Sequence, residues 1–341
     1  MVSALSSEKV ARIVGRRRLL IASHLVLAAI TLAGVLISNH ALLTVVIICY
    51  VPLIAMNWPV IESAVAANAD PHLLSRRIGL YNLIWAATGA IGVAMQGMLV
   101  GFDKRAVFFV PMIVHVVIVV LIVVRRGYLH DDKRDTGASV TLSAAHPEPE
   151  PALLAQRTQA LWLSRIALPS TYVVIYSLSA LMPLLPVMKS LDPATRTLVG
   201  STWLVARWLT FWFLGATVFW HTRPRLLLGA ALLMAASFIA VTAPLGLPGM
   251  IGSQLLLGIS VGLIYTASLY FGMVLSEGST EHAGYHEALI GLGQILGPGV
   301  GAITQWRWPE NLQAGVIAVS GLIFLTLVAA TIVAVRGRRD S

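Results

Sequence analysis

Charged residues leave long stretches of this chain untouched. Between Arg18 and Glu62 lie 43 residues without Asp, Glu, Lys or Arg, and between Arg225 and Glu277 lie 51. The intervals from Arg77 to Asp103 and from Glu310 to Arg336 enclose 25 each. A helix rising about 1.5 Å per residue crosses the hydrocarbon core with roughly 20 apolar residues. The two longest runs exceed one crossing, and each contains turn chemistry: Ser38-Asn39-His40 in the first, Pro244-Leu245-Gly246-Leu247-Pro248-Gly249 in the second. The pattern predicts an all-α polytopic membrane protein of ten transmembrane helices. They fall near residues 19–37, 41–66, 78–101, 106–124, 166–188, 198–220, 226–243, 249–275, 284–305 and 312–335.

Composition agrees. Hydrophobic residues make up 57% of the 341, charged residues 11%, and the mean hydropathy is +0.82. Soluble chains carry about 25% charge, so a soluble domain and a disordered chain are both excluded. The net charge of +9 changes the picture only through its position. With ten spans, 18 of the 24 basic residues fall on the side that holds both termini and 5 on the other. Loops rich in Lys and Arg stay cytoplasmic, so both termini are expected inside, in a cytoplasmic or inner membrane. Basic charge spent on topology argues against nucleic acid as a partner and names the lipid bilayer instead. The single Cys49 leaves no intrachain disulfide. The opening residues are polar and basic and show no cleavable signal pattern.

Residues 126–160 hold Asp131-Asp132-Lys133-Arg134-Asp135 and the run His146-Pro147-Glu148-Pro149-Glu150-Pro151, which read as a cytoplasmic linker. The expected organisation is therefore an N-terminal bundle of four spans over 1–125, this linker, and a six-helix bundle over 161–341. The two parts repeat at an offset of 205: Gly79 falls on Gly284 and Gly92 on Gly297. Parallel repeats of this kind mark many transporter folds. Spans five and six have no counterpart in the first part.

Leu5-Ser6-Ser7-Glu8-Lys9 followed by Gly15-Arg16-Arg17-Arg18 resembles the later part of the Gly-x-x-x-Asp-x-x-Gly-Arg-Arg loop motif of the major facilitator superfamily. Gly293-Gln294-Ile295-Leu296-Gly297-Pro298-Gly299-Val300-Gly301 resembles that family's Gly-Pro-x-x-Gly helix signature. The resemblance implies two helical bundles around a central site, here four spans plus six with a pseudo-two-fold repeat. The family's first two helices are not matched. Gly293, Gly297, Pro298 and Gly301 are expected to pack closely against another helix. With the family's second helix unmatched, this Gly-rich ninth span would face lipid or a second copy of the chain, giving a homo-oligomer. The implied cavity-lining spans are two, five and eight. They place Asn57, Trp58, Tyr176, Tyr265 and Tyr270 as substrate-binding candidates, because polar-tipped aromatics suit organic solutes.

Arg207 stands out without any resemblance. It lies about ten residues into the sixth span, where a charge costs at least about 2.5 kcal/mol and usually faces a cavity or a partner. It is expected to hold an anionic substrate or a gating carboxylate. Glu62 and Glu287 fall inside spans two and nine. A desolvated carboxylate takes up a proton more readily than one in water, so the two are candidates for coupling or gating. His24 and His115 are lone histidines in apolar helices and read as packing residues.

Three patterns lead nowhere. Asp131, Asp132 and Asp135 imitate an Asp-Asp-x-x-Asp diphosphate site but lack a second acidic cluster. His282 and His286 lack the intervening Glu of a zinc helix, and the glycines at 291, 293 and 297 are not spaced as a dinucleotide loop. No metal, cofactor or ATP is therefore expected. The expected function is secondary active transport of a small organic solute by alternating access, coupled to protons, and not enzymatic. Two alternatives stay open: a membrane enzyme acting on lipid or isoprenoid diphosphates, and a shortened remnant that does not transport.

Overall fold

A computed structural model of the protein describes residues 1–67, 69–125, 150–309 and 311–336. All regular structure among them is helical. The helices are α1 (Val2–Val14), α2 (Arg16–Leu36), α3 (His40–Ala66), α4 (Pro71–Phe102), α5 (Ala106–Val124), α6 (Pro151–Leu181), α7 (Pro186–Lys189), α8 (Pro193–Gly200), α9 (Thr202–Ala216), α10 (Arg225–Thr242), α11 (Gly246–Leu275), α12 (Thr280–Arg307) and α13 (Leu312–Arg336). Among the described residues, seven helical segments are long and apolar enough to cross a membrane: α2, α3, α5, α6 with its following turn to Leu184, α10, α11 and α13. α9 has only 15 residues.

The breaks have local causes. The Asn39 side chain accepts from Ala41 N at 2.9 Å and Leu42 N at 3.2 Å, an N-cap that starts α3 where the polar triplet interrupts the first apolar run. Gly246, at φ +67°, opens α11 in the second break. Gly15, at φ +94° and ψ 139°, separates α1 from α2 in a region essentially reserved for glycine. α6 ends at Leu181, ahead of Pro183 and Pro186, whose missing N–H groups cannot extend a helix. Within the expected span at 198–220, helix is interrupted at Ser201, where α8 gives way to α9.

Two further differences concern polar segments. Residues 2–14 form a helix rather than a loop, held by Ser7 Oγ, which donates to Ser3 O and, at 3.1 Å, to Met56 O on α3. α6 begins at Pro151, so the last ten residues of the expected linker are helical. The aspartates at 131, 132 and 135 lie outside the described residues.

Contacts divide the chain into two compact units. One comprises the described residues of Met1–Ala67, Thr88–Glu148 and Gly278–Ala288; the second, those of Asn68–Ala87, Pro149–Glu277 and Leu289–Ser341. In the first unit α2 packs on α3 and α5, and α1 packs on α3. Ala11, Leu19, Leu20 and Val60 form a small core at this junction. Arg17 Nη2 donates to Ile122 O and Val123 O, both at 3.3 Å, and so satisfies carbonyls that the C-terminus of α5 leaves open.

In the second unit α11 is central, packed by α6, α9 and α10, while α13 lies on α6 and α10. Of the most apolar stretch of α11, 78% is buried; for α13 the share is 17%, so α13 leaves an apolar surface suited to lipid. Leu168, Met234, Phe238, Leu257 and Ile264 have no accessible surface and fill the space between these helices.

Candidate functional site

In the second unit, α9 carries Trp203, Arg207 and Phe211 at four-residue intervals, which places all three on one helical face. Gly258 and Gly262 on α11 let that face approach. A Cβ on Gly258 would overlap Trp203 O and come within 2.7 Å of Ala206 Cβ and 2.9 Å of Arg207 N. Arg207 is consequently enclosed, at 8% exposure. Its guanidinium carbon lies 4.8 Å from the Trp85 ring centre, 4.7 Å from Trp203 and 5.8 Å from Phe211. Trp85 in turn stacks on Tyr265 at 5.3 Å with 6° between planes. Tyr172, Tyr176 and Tyr265 are near enough to act on the charge electrostatically.

Arg207 Nε has no hydrogen-bond partner, and among the described residues no carboxylate pairs with this side chain. Magnitudes make that significant. Cation–π contacts contribute about 0.5–2 kcal/mol each. Removing a guanidinium from water costs several kcal/mol. An anion meeting the guanidinium would offset what the rings leave uncovered.

Other polar groups in this unit are similarly poised. Gln254, one turn before Gly258 on α11, is fully buried with neither amide atom hydrogen-bonded. Asn82, one turn before Trp85 on α4, donates to Thr266 Oγ1 at 3.5 Å and leaves its Oδ1 unmatched. Sequence reasoning named Arg207 and Tyr265 but missed Trp85, Trp203, Gln254 and Asn82. The four-residue spacing around Arg207 is a signal that finds Trp203. Nothing local identifies Trp85, because its role depends on α4 meeting α9 and α11.

Tyr176 is 38% exposed and accepts from Gln294 Nε2 at 3.1 Å. Tyr270 sits elsewhere on α11. Its ring stacks on His221 at 4.2 Å, and its hydroxyl lies 3.2 Å from His221 Nδ1 and 3.4 Å from Pro71 O. His221, between α9 and α10, also meets Ser75 Oγ at 3.3 Å through Nε2. Burial, with smaller contributions from His72 and Arg157, pushes the His221 imidazole down to about 4, so the folded protein keeps it neutral. An unfolded chain protonates this group near 6.5. Stability from His221 is therefore complete above pH 6.5 and is lost as pH falls toward 4. Thermal unfolding followed between pH 7 and pH 4 should show a midpoint that falls by several degrees more in the parent than in His221→Gln. Parallel curves for the two proteins would contradict this.

The first unit holds Asn57, Trp58 and Glu62. Asn57 is buried and accepts from Ser23 Oγ at 2.6 Å, and Trp58 is half-buried. The two histidines expected to be solitary meet: the rings of His24 and His115 lie 5.3 Å apart edge to face, and the Tyr50 hydroxyl lies 3.1 Å from His115 Nε2. Glu62 on α3 converges with His286 and Glu287 on α12, and one donor atom from each lies within 4.8 Å of the others. Carboxylates that close repel unless a proton or another cation accompanies them. Among the described residues this is the set able to hold a metal ion, and it uses His286 without His282. Ser63 Oγ accepts from Thr280 Oγ1 at 3.0 Å, and Arg16 Nη2 reaches the same Thr280 at 3.3 Å. Of the basic motif, Arg16 thus touches the start of α12, Arg17 caps α5, and Arg18 is exposed.

The glycines of α12 meet a partner in their own unit. A Cβ on Gly293 would overlap Pro169 O and come within 2.6 Å of Tyr172 Cβ. On Gly297 it would come within 2.8 Å of Val173 O. That face lies against α6; beyond Pro298, Gly299 and Gly301 have no neighbour within 4 Å of an added Cβ.

A family model described as Major Facilitator Superfamily matches residues 2–284. Solved structures share the fold at low identity. The human organic anion transporter MFSD10 (TETRAN) superposes with a TM-score of 0.74 at 14% identity, covering 96% of this chain and 80% of that one. The transporter FucP in its outward conformation gives 0.61 at 13% identity, covering 98% and 86%. A further structure of FucP, the E. coli fucose:proton symporter, gives 0.64 at 12%, covering 98% and 87%. By sequence, no curated protein matches the chain.

Proposed function

Because the chain belongs to the Major Facilitator Superfamily, we propose that it is a secondary transporter that carries a small organic anion by alternating access, with Arg207 as the anchor for the anionic group. One observation carries this reading: a guanidinium buried between Trp85 and Trp203 that no carboxylate neutralises among the described residues. The rings supply a surface for the apolar part of the solute. Gln254 and Asn82 supply hydrogen-bonding atoms that fix its orientation. The organic anion transporter with a similar fold supports the same direction.

The reading includes ten membrane crossings, four before the linker and six after it, with both termini cytoplasmic. The uneven distribution of basic residues supports that orientation. Glu62 and Glu287, together with His286, serve as the carrier of a coupling proton, which their convergence supports. Asn57 and Trp58 on α3 are further candidates for substrate contact, Asn57 being buried with a hydrogen bond from Ser23.

Tryptophan emission reports on this site directly, since two indoles flank the guanidinium. Titration of the purified protein with benzoate, benzamide and benzylamine should give a saturable change for the carboxylate only. Equal or stronger binding of the amine would rule out an anion site.

A further inference from the structure

One large cavity lies away from Arg207, within the second unit. Its volume is about 1080 Å³, above the roughly 300–1,000 Å³ of pockets shaped for small solutes. It opens where three membrane-length helices end together: the first turns of α6, the start of α10 and the last turn of α13. Gln159 on α6 donates to Val333 O at 3.4 Å and Ala334 O at 3.3 Å, which ties α6 to α13 there.

The lining combines two chemistries. Arg223, Arg225 and Arg336 contribute three guanidinium groups, and among the described residues no Asp or Glu lines the cavity. Among the described residues, none of the three pairs with a carboxylate. Leu154, Leu226 and Trp162 supply apolar wall. Trp162 is 54% exposed, as befits an amphipathic ring at the level where headgroup meets hydrocarbon.

We infer that this cavity binds the headgroup of an anionic phospholipid, with Arg223, Arg225 and Arg336 around the phosphate and Trp162, Leu154 and Leu226 along the upper acyl chains. Guanidinium groups match phosphate oxygens in bidentate fashion, and basic pockets between helix ends favour anionic headgroups. A free phosphate would use the arginines and leave the apolar wall idle. Such a lipid bridges α6, α10 and α13 and steadies the unit that holds Arg207. The inference does not depend on the transported solute.

The test is native mass spectrometry of the purified full chain with phosphatidylglycerol or phosphatidylcholine added to the micelle. Phosphatidylglycerol should be retained preferentially. Each arginine contributes about a fivefold factor near a membrane surface. Single Arg→Gln variants should therefore weaken retention about fivefold, and the triple Arg223→Gln/Arg225→Gln/Arg336→Gln variant about 100-fold. The three side chains are exposed, and unchanged melting temperatures verify that the variants are folded. Millimolar inorganic phosphate should not displace the lipid. Equal retention of the two lipids, wild-type retention by folded variants, or displacement by inorganic phosphate would each overturn the assignment.

Discussion

Replacing Arg207 by glutamine should abolish anion binding while leaving the protein at least as stable as before. The loss follows from removing one partner of a buried charge pair, which commonly costs 2–5 kcal/mol or more. Benzoate affinity should therefore fall by about 30-fold or more. Stability should move the other way. The ligand-free protein holds the largely buried guanidinium among three rings with its Nε unbonded, and the cost of burying that charge is set against cation–π contacts of about 0.5–2 kcal/mol each. Glutamine removes the charge and retains a hydrogen-bonding tip. An arginine serving only to pin helices would give the opposite pair of results: a lowered melting temperature and unchanged benzoate binding. Measuring both quantities on one sample separates the two roles.

Gly258→Val should be the most disruptive single change in the second unit. The added carbon meets the Trp203 carbonyl and the Arg207 amide nitrogen, both backbone, along with Ala206 Cβ at 2.7 Å. Backbone atoms of a packed helix cannot swing aside as a long side chain does, so α9 must separate from α11. A cost of about 3 kcal/mol or more is expected, at the upper end of overpacking effects. Benzoate binding should disappear with the folded fraction, because this crossing is what buries Arg207. Gly252→Ala on the same helix is the control. No atom lies within 4 Å of its added Cβ, and its melting temperature should change little. Equal behaviour of the two variants would show that the α9–α11 approach is not limiting.

The amino-acid pattern shows most of the fold because membrane helices are written in it locally. Apolar runs, the Asn39 cap and the Pro/Gly break before α11 are all short-range features, and α2, α3, α5, α10, α11, α12 and α13 follow them within a few residues, whereas α4 and α6 begin well before the expected starts at 78 and 166. α1 escapes such reading. It is polar and basic, and Ser7 reaching Met56 O on α3 is a tertiary contact. The site divides in the same way. Arg207 is conspicuous because a lone charge in an apolar run is costly wherever it points. Trp203 and Phe211 follow from helical spacing. Trp85, Gln254 and Asn82 become visible only when α4 and α11 are brought to α9, as do the meetings of His24 with His115 and of Glu62 with His286 and Glu287.

The central claim is that an anionic solute is held at Arg207, and a structure of the protein with benzoate bound tests it most directly. The account predicts carboxylate oxygens within about 2.7–3.2 Å of the guanidinium nitrogens, with the ring against Trp85, Trp203 or Tyr265. A carboxylate bound at any other place, with the Arg207 enclosure unchanged and empty, would contradict it.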